Sequence, residues 1–107
     1  MIAIDNHEII EVNVSSFVRK EDPLQGAIRK LEENEIKILF VENDAHELIG
    51  TVTDGDIRRC LLKSGSLKIQ VGDAMNRAFF CIKDTETVEA ARNIMLREGL
   101  KHIPVLN

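Results

Sequence analysis

Tryptophan and tyrosine are absent, and four phenylalanines are the whole aromatic content of the chain. Any planar ligand must therefore pack mainly on aliphatic side chains. Cysteine is scarce: Cys60 and Cys81 are not spaced as CxxC. Cys60 falls at helical spacing beside Ile57, and Cys81 sits in the run AFFCI, so both are expected as buried thiols rather than a disulfide or redox pair. The three histidines, at 7, 46 and 102, form neither HxxxH nor HExxH, the spacings that mark a zinc site. Positive charge is in deficit, with 14 Lys and Arg against 18 Asp and Glu and a net charge of −4. That balance excludes the basic footprint of a nucleic-acid binder. No apolar run approaches the roughly 20 residues of a membrane span. The start, MIAIDNHEIIEV, has neither the basic region nor the long apolar stretch of a signal peptide.

What remains is a chain of 107 residues, 44% hydrophobic and 30% charged, enough for a modest globular core. Its organising feature is an internal repeat. A shift of 64 residues lays PLQGAIRKLEENEIKILFVEN (23–43) over TVEAARNIMLREGLKHIPVLN (87–107). Ala27 meets Ala91, Lys37 meets Lys101, Val41 meets Val105 and Asn43 meets Asn107. Apolar positions agree more widely: Leu24 with Val88, Leu31 with Met95, Ile36 with Leu100, Leu39 with Ile103.

Each copy reads as strand, helix, strand. In the first, Ser16–Arg19 is extended. Asp22 is the expected N-cap, with Pro23 in the first helical position. Leu24, Ala27, Ile28 and Leu31 recur at helical spacing and form one apolar face. Asn34 ends that helix. Ile36–Val41 and Leu48–Thr53 read as a β-hairpin around the turn NDAHE (43–47). A helix then runs from about Asp54 to Lys63, burying Ile57, Cys60 and Leu61, with Arg58 and Arg59 on a solvated face. SGSLK (64–68) reads as a linker. In the second copy Phe79–Ile82 is a strand and Thr85 caps a helix with apolar face Val88, Ala91, Ile94 and Met95. Gly99 ends the helix, and HIPVL (102–106) is the next strand. The counterpart of GTVTDGD would begin near position 114, beyond Asn107. The second unit thus lacks a hairpin partner and last helix, which favours a piece of a longer chain over elements supplied elsewhere. A lone Ile103–Leu106 strand edge would otherwise be exposed and prone to pair with another chain. The expected partition is 1–68 for the first unit with its N-terminal segment and linker, and 69–107 for an incomplete second unit.

The chemistry-bearing stretch is Thr53-Asp54-Gly55-Asp56, where a strand feeds a helix. Thr53 with Asp56 three residues on is a variant capping box, which satisfies free backbone N–H groups and favours the positive helix end. The same geometry suits a nucleoside phosphate. Free N–H groups and the Thr53 hydroxyl would meet phosphate, Gly50 and Gly55 would admit close approach, and Asp56 would accept from a ribose diol. Both readings stand on the sequence. Calcium-loop spacing does not continue from these aspartates.

These residues resemble a known family. GTVTDGD after the hairpin and KHIPV in the second copy match the pattern h-x-[ST]-x-x-D and the apolar-Pro-Val strand of tandem cystathionine-β-synthase-type (CBS) domains. The resemblance covers about residues 12–107. The wording GTVTDGDIRR is similar to CBS pairs that precede sugar-phosphate nucleotidyltransferase domains. The first unit departs from the pattern with Leu39-Phe40-Val41 in place of apolar-Pro-Val, and the second has no TxxD within this chain, so only one site can be complete.

The resemblance implies an α+β (α/β) fold, a pseudo-twofold Bateman module whose units are each a small β-sheet flanked by two helices. It implies Thr53 on phosphate, Asp56 on ribose, Ser16 and Ile36 bordering the base, Lys37 beside the pocket, and Lys101 and His102 reaching a phosphate from the second unit. It further implies a cytoplasmic homodimer that senses an adenine nucleotide and modulates a downstream catalytic domain, with no required cofactor, no metal, no nucleic acid and no membrane. The alternative is a ligand-free structural dimerisation module. The chain is not expected to be an enzyme in itself: no Ser or Cys–His arrangement, metal cluster or P-loop is present.

Overall fold

The computed structural model covers residues 1–107 and describes all of them except Asn6, His7 and Leu67. His7, one of the histidines weighed above, and Leu67 of the expected linker lie outside the described residues. The chain resolves into two compact units, residues 13–79 and a discontinuous unit of residues 1–12 with 80–107. Compactness thus cuts the chain elsewhere than the repeat does: the N-terminal segment folds with the end of the chain.

The unit of 13–79 holds a three-stranded sheet in the order β3-β4-β5. β3 (Phe17–Val18) runs parallel to β4 (Leu39–Glu42), and β5 (Leu48–Val52) returns antiparallel to β4. The hairpin turn has Asn43 Oδ1 accepting from the N–H groups of Ala45 and Glu47, and His46 adopts φ 60°. Leu39 and Val41 face the helices and Val52 joins them. Together with Val18, Leu24, Ala27, Leu31, Ile57, Val71 and Met75 they form the core. Phe40 and Thr51, on the opposite sheet face, are also buried, as expected for strands that read as continuous apolar runs.

Helix α1 (Leu24–Glu33) starts one residue later than expected, with Pro23 rather than Asp22 as N-cap. Pro23 is held extended by a bridge to Gln70, in which Leu24 N–H donates to Ile69 O and Val71 N–H to Asp22 O. The Asp22 carboxylate turns instead to Arg19 N–H at 2.8 Å. Asn34 is the C-cap, and its amide ties back to Ser15 O and Ser15 Oγ. β4 begins at Leu39, three residues after the expected start, because the chain first bends at Glu35–Ile36. Helix α2 (Asp54–Ser64) ends at Gly65 in the left-handed region, φ 66°. A one-turn helix α3 (Val71–Ala74), missed in the sequence, follows; it packs against α1 and α2.

The other unit contains a four-stranded sheet in the order β2-β1-β7-β6. Its strands are β1 (Ile2–Ile4), β2 (Ile9–Glu11), β6 (Ile82–Lys83) and β7 (Ile103–Leu106). Helix α4 (Val88–Glu98) covers it through Ala91 and Met95, which pack with Ile4, Ile82, Ile103 and Val105. Thr87, not Thr85, caps α4, its hydroxyl accepting from Ala90 N–H at 3.0 Å. Thr85 lies in a turn closed by Lys83 and Glu86, which delays the helix by two residues. Gly99, φ 68°, ends α4 as expected.

The Ile103–Leu106 strand is paired on both sides, with β6 in parallel and β1 antiparallel. One expectation is corrected here: the thiols are not buried. Cys60 is half-exposed, with Sγ 3.7 Å from Asp73 O, and Cys81 is exposed, because β6 starts only at Ile82 and its predecessors lie at the surface. Both are free.

Candidate functional site at the mouth of helix α2

Strand β5 delivers Thr53 in an extended conformation, φ −121° and ψ 171°, directly onto the first turn of α2. A reciprocal capping box forms there. Thr53 Oγ1 accepts from Asp56 N–H at 3.4 Å, and Thr53 N–H donates to Asp56 Oδ2 at 2.9 Å. The Thr53 hydroxyl also donates to Asp56 Oδ2 at 3.0 Å. Two of the otherwise unmatched N–H groups of the helix start are thereby satisfied. The two aspartates of the first turn, Asp54 and Asp56, sit at the positive end of the helix.

Asp56 has a further partner. Arg59 Nη2 donates to Asp56 Oδ1 at 2.7 Å, with the carboxylate side chain 12% exposed and the arginine 69% exposed. The sequence reading left Arg59 on a solvated face. The signal that identifies it is its i,i+3 spacing from Asp56, the spacing at which helical side chains meet.

Neither glycine beside this mouth leaves open space. A Cβ at Gly55 would lie 3.2 Å from Arg59 Nη1, so the guanidinium covers that position. A Cβ at Gly50 would lie 2.8 Å from Met75 Sδ and 3.2 Å from Asn76 O. Close approach at both positions is made by the protein's own side chains and backbone.

From the mouth a cleft of about 490 Å³ runs along α2 toward α3. Asp56, Arg59, Cys60 and Lys63 line it from α2, and Ile69 and Asp73 from the other wall. Its lining sets acidic and basic groups beside apolar ones, Ile69 and Ala74.

The remaining expected site residues fall as follows. Ser16 is buried at the end of a 3-10 turn, Val14–Ser16. Ile36 is half-buried in the bend before β4. Lys37 is exposed, but its Nζ donates to Leu31 O at 2.8 Å and Glu32 O at 3.1 Å, capping the end of α1. These three share the unit of 13–79 with Thr53 and Asp56. Of the five, Thr53 and Asp56 bond to each other. Lys101 and His102 belong to the other unit, just before β7. His102 is half-buried, and its pKa lies below the usual 6.5. Burial disfavours the imidazolium most, the Asp5 carboxylate works against that, and Lys101 adds to the lowering. Among the described residues, no three His, Cys, Asp or Glu side chains are grouped to hold a metal ion, and no helix is long and apolar enough to cross a membrane.

The sequence pattern of the CBS domain matches residues 6–63 and 71–107. The chain belongs to the CBS domain family. CBSX2, solved in complex with AMP, superposes with a TM-score of 0.75 at 25% identity, covering 85% of this chain and 72% of that one. CBSX2 is a CBS-pair protein of Arabidopsis thaliana. The CBS domain protein PAE2072 from Pyrobaculum aerophilum, also complexed with AMP, gives a TM-score of 0.74 at 18% identity, covering 85% and 70%. These matches bear out the mixed α+β fold of a CBS pair. Among curated relatives, an uncharacterized protein of Helicobacter pylori is 30% identical over 64 residues, 60% of this chain and 20% of that one. A homoserine O-acetyltransferase of Methanosarcina acetivorans is 38% identical over 47 residues, 44% of this chain and 9% of that one. The CBS chain thus spans a fifth or less of these relatives' length.

Proposed function

We propose that this CBS chain is a regulatory module that senses an adenine nucleotide and adjusts the activity of a linked catalytic domain. The observation that carries this reading is Thr53 and Asp56 held together at the opening of α2, in a fold shared with an AMP-bound relative at 25% identity. In this reading the Thr53 hydroxyl and the first-turn N–H groups take phosphate. Asp56 takes the ribose hydroxyls, which carboxylates accept from readily. Ser16 and Ile36 border the base, Lys37 flanks it, and Lys101 and His102 reach the phosphate. Lys37 must give up its two carbonyls on α1 to take part. Catalysis belongs to the linked domain, which the resemblance of GTVTDGDIRR makes a sugar-phosphate nucleotidyltransferase. The module works in the cytoplasm as a homodimer, with 1–68 and 69–107 as its repeat units.

Regulation follows only if the nucleotide prefers one conformation of the module. A ligand at about 100 times its Kd adds about 2.7 kcal/mol of stability. Thermal melts with millimolar AMP, ADP, ATP, GTP and S-adenosylmethionine test the reading: an adenine nucleotide should raise Tm by several degrees. No shift with any of them refutes sensing.

One observation favours a second reading, a structural dimerisation module. Thr53 and Asp56 already satisfy each other and Arg59. Asp56→Ala separates the two. Loss of the nucleotide response with the oligomeric state intact supports sensing, whereas a chain that dimerises without any nucleotide response supports scaffolding.

A further inference from the structure

The chain that enters β3 is held in place by helix α1. Asn34 Nδ2 donates to Ser15 O at 3.1 Å, and Ser15 Oγ donates back to Asn34 Oδ1 at 3.1 Å. One turn earlier on the helix, Lys30 Nζ donates to Phe17 O at 2.9 Å. Residues four apart share a helix face, so both side chains reach the same stretch. Between the two anchor points lies Ser16, 2% exposed, whose own N–H donates to Asn13 O at 2.9 Å. The main chain is thus gripped on both sides of the residue expected to border the base.

The second copy builds the same elements without this grip. Val18 pairs with Val41 and Ile82 with Val105, both in parallel, which is the 64-residue shift of the repeat. That shift puts Ile94 in the place of Lys30, Glu98 in that of Asn34, and Phe80 and Cys81 in those of Ser16 and Phe17. Ile94 packs into its own core, and Glu98 Oε2 accepts from Arg97 Nε at 3.3 Å. Among the described residues, neither side chain bonds to Phe80 or Cys81. Phe80 is 41% exposed and Cys81 is exposed, where Ser16 is buried. Strand, helix and parallel strand therefore form in the same register without the grip, so the fold alone does not call for Lys30 and Asn34. They stand in the copy that also carries Thr53 and Asp56.

We propose that Lys30 and Asn34 are positioning residues for a nucleotide base: they fix the main chain of residues 15–17 so that Ser16 meets the base in one arrangement. The inference rests on the nucleotide reading above and adds what sets its affinity. A loop ordered before binding loses less freedom when the ligand arrives, so affinity is higher. A freed loop that spends about a tenth of its time in the binding arrangement raises the apparent Kd about tenfold.

The test titrates the full chain with AMP and with ribose 5-phosphate, which lacks the base. In Lys30→Met with Asn34→Ala, the Kd for AMP should rise about tenfold, while that for ribose 5-phosphate should change less than about twofold. Lys30→Arg, which keeps a cationic donor for Phe17 O, should bind AMP as the parent does. Urea midpoints check that each variant is folded at the titration temperature. A grip that served stability alone would lower the midpoint and leave the AMP Kd of the folded chain unchanged. Should the double variant not fold, Lys30→Met alone carries the test, with the same split between the two ligands. No AMP binding by the parent refutes the nucleotide reading itself. AMP affinity that Lys30→Met and the double variant leave unchanged, an equal loss for both ligands, or a full loss in Lys30→Arg overturns this inference and leaves that reading standing.

Discussion

Replacing Gly50 with alanine separates the two uses of space beside the helix mouth. The added Cβ would meet Met75 Sδ at 2.8 Å, Met75 Cγ at 3.2 Å and Asn76 O at 3.2 Å. The thioether is 8% exposed and cannot swing to solvent freely, and the carbonyl belongs to the paired bridge with Thr51 at 3.1 and 2.8 Å. Overpacking of this kind costs about 1–3 kcal/mol. Against it stands about 0.4–1 kcal/mol from the reduced freedom of the unfolded chain. A net loss of about 1–2 kcal/mol is expected, and each kcal/mol lowers Tm by about 4–8 °C in a domain of this size. Urea and thermal unfolding of Gly50→Ala, Met75→Ala and the double variant measure it. Met75→Ala alone should cost about 2–5 kcal/mol. In its background the methyl group has room, so the two changes should couple favourably by at least 1 kcal/mol. A Gly50→Ala chain as stable as the parent, or strict additivity, refutes the packing argument. Lost nucleotide response at unchanged stability would assign that space to a ligand instead.

Thr53→Ala should destabilise by about 1 kcal/mol through the lost cap, and Thr53→Ser by only a few tenths, as read by urea midpoints. Arg59→Gln should cost no more than about 1 kcal/mol, since its partner pair is largely solvated on the arginine side. Ile4→Ala should cost about 2–5 kcal/mol and strip exchange protection from Ile103–Leu106. His102 is held below its ordinary pKa chiefly by burial, so the unfolded chain binds its proton more readily. Stability should therefore fall as pH drops through and below about 6.5, and His102→Gln should remove that part of the dependence. Unfolding of both chains between about pH 8 and about pH 5 checks the sign.

Where local chemistry decides, the sequence was legible. The TxxD spacing marked the capping box at Thr53 and Asp56, the i, i+3, i+4 pattern marked α1, and Gly99 marked the end of α4. Where a distant segment decides, it was not. Pro23 lost the first helical position to a bridge with Gln70, and α3 opens on glutamine, an uncommon cap. Nothing in MIAI names Ile103–Val105 as its partner, because a three-residue strand has too few side chains to specify one. The site was half legible: the pairing of Thr53 with Asp56 was in the spacing, whereas the Arg59 lid over Gly55 depends on which rotamer a long side chain takes.

The unit built from residues 1–12 and 80–107 sets an order on biosynthesis. Residues 13–79 emerge contiguously and can collapse on local contacts while the rest is still being made. β1 leaves the ribosome well before β7 and must wait for it, about 5–20 s at about 5–20 residues per second. During that interval Ala3 and Ile4 are unmatched apolar residues, and the chain relies on the early folding of residues 13–79 to shorten the path over which β1 and β7 finally meet.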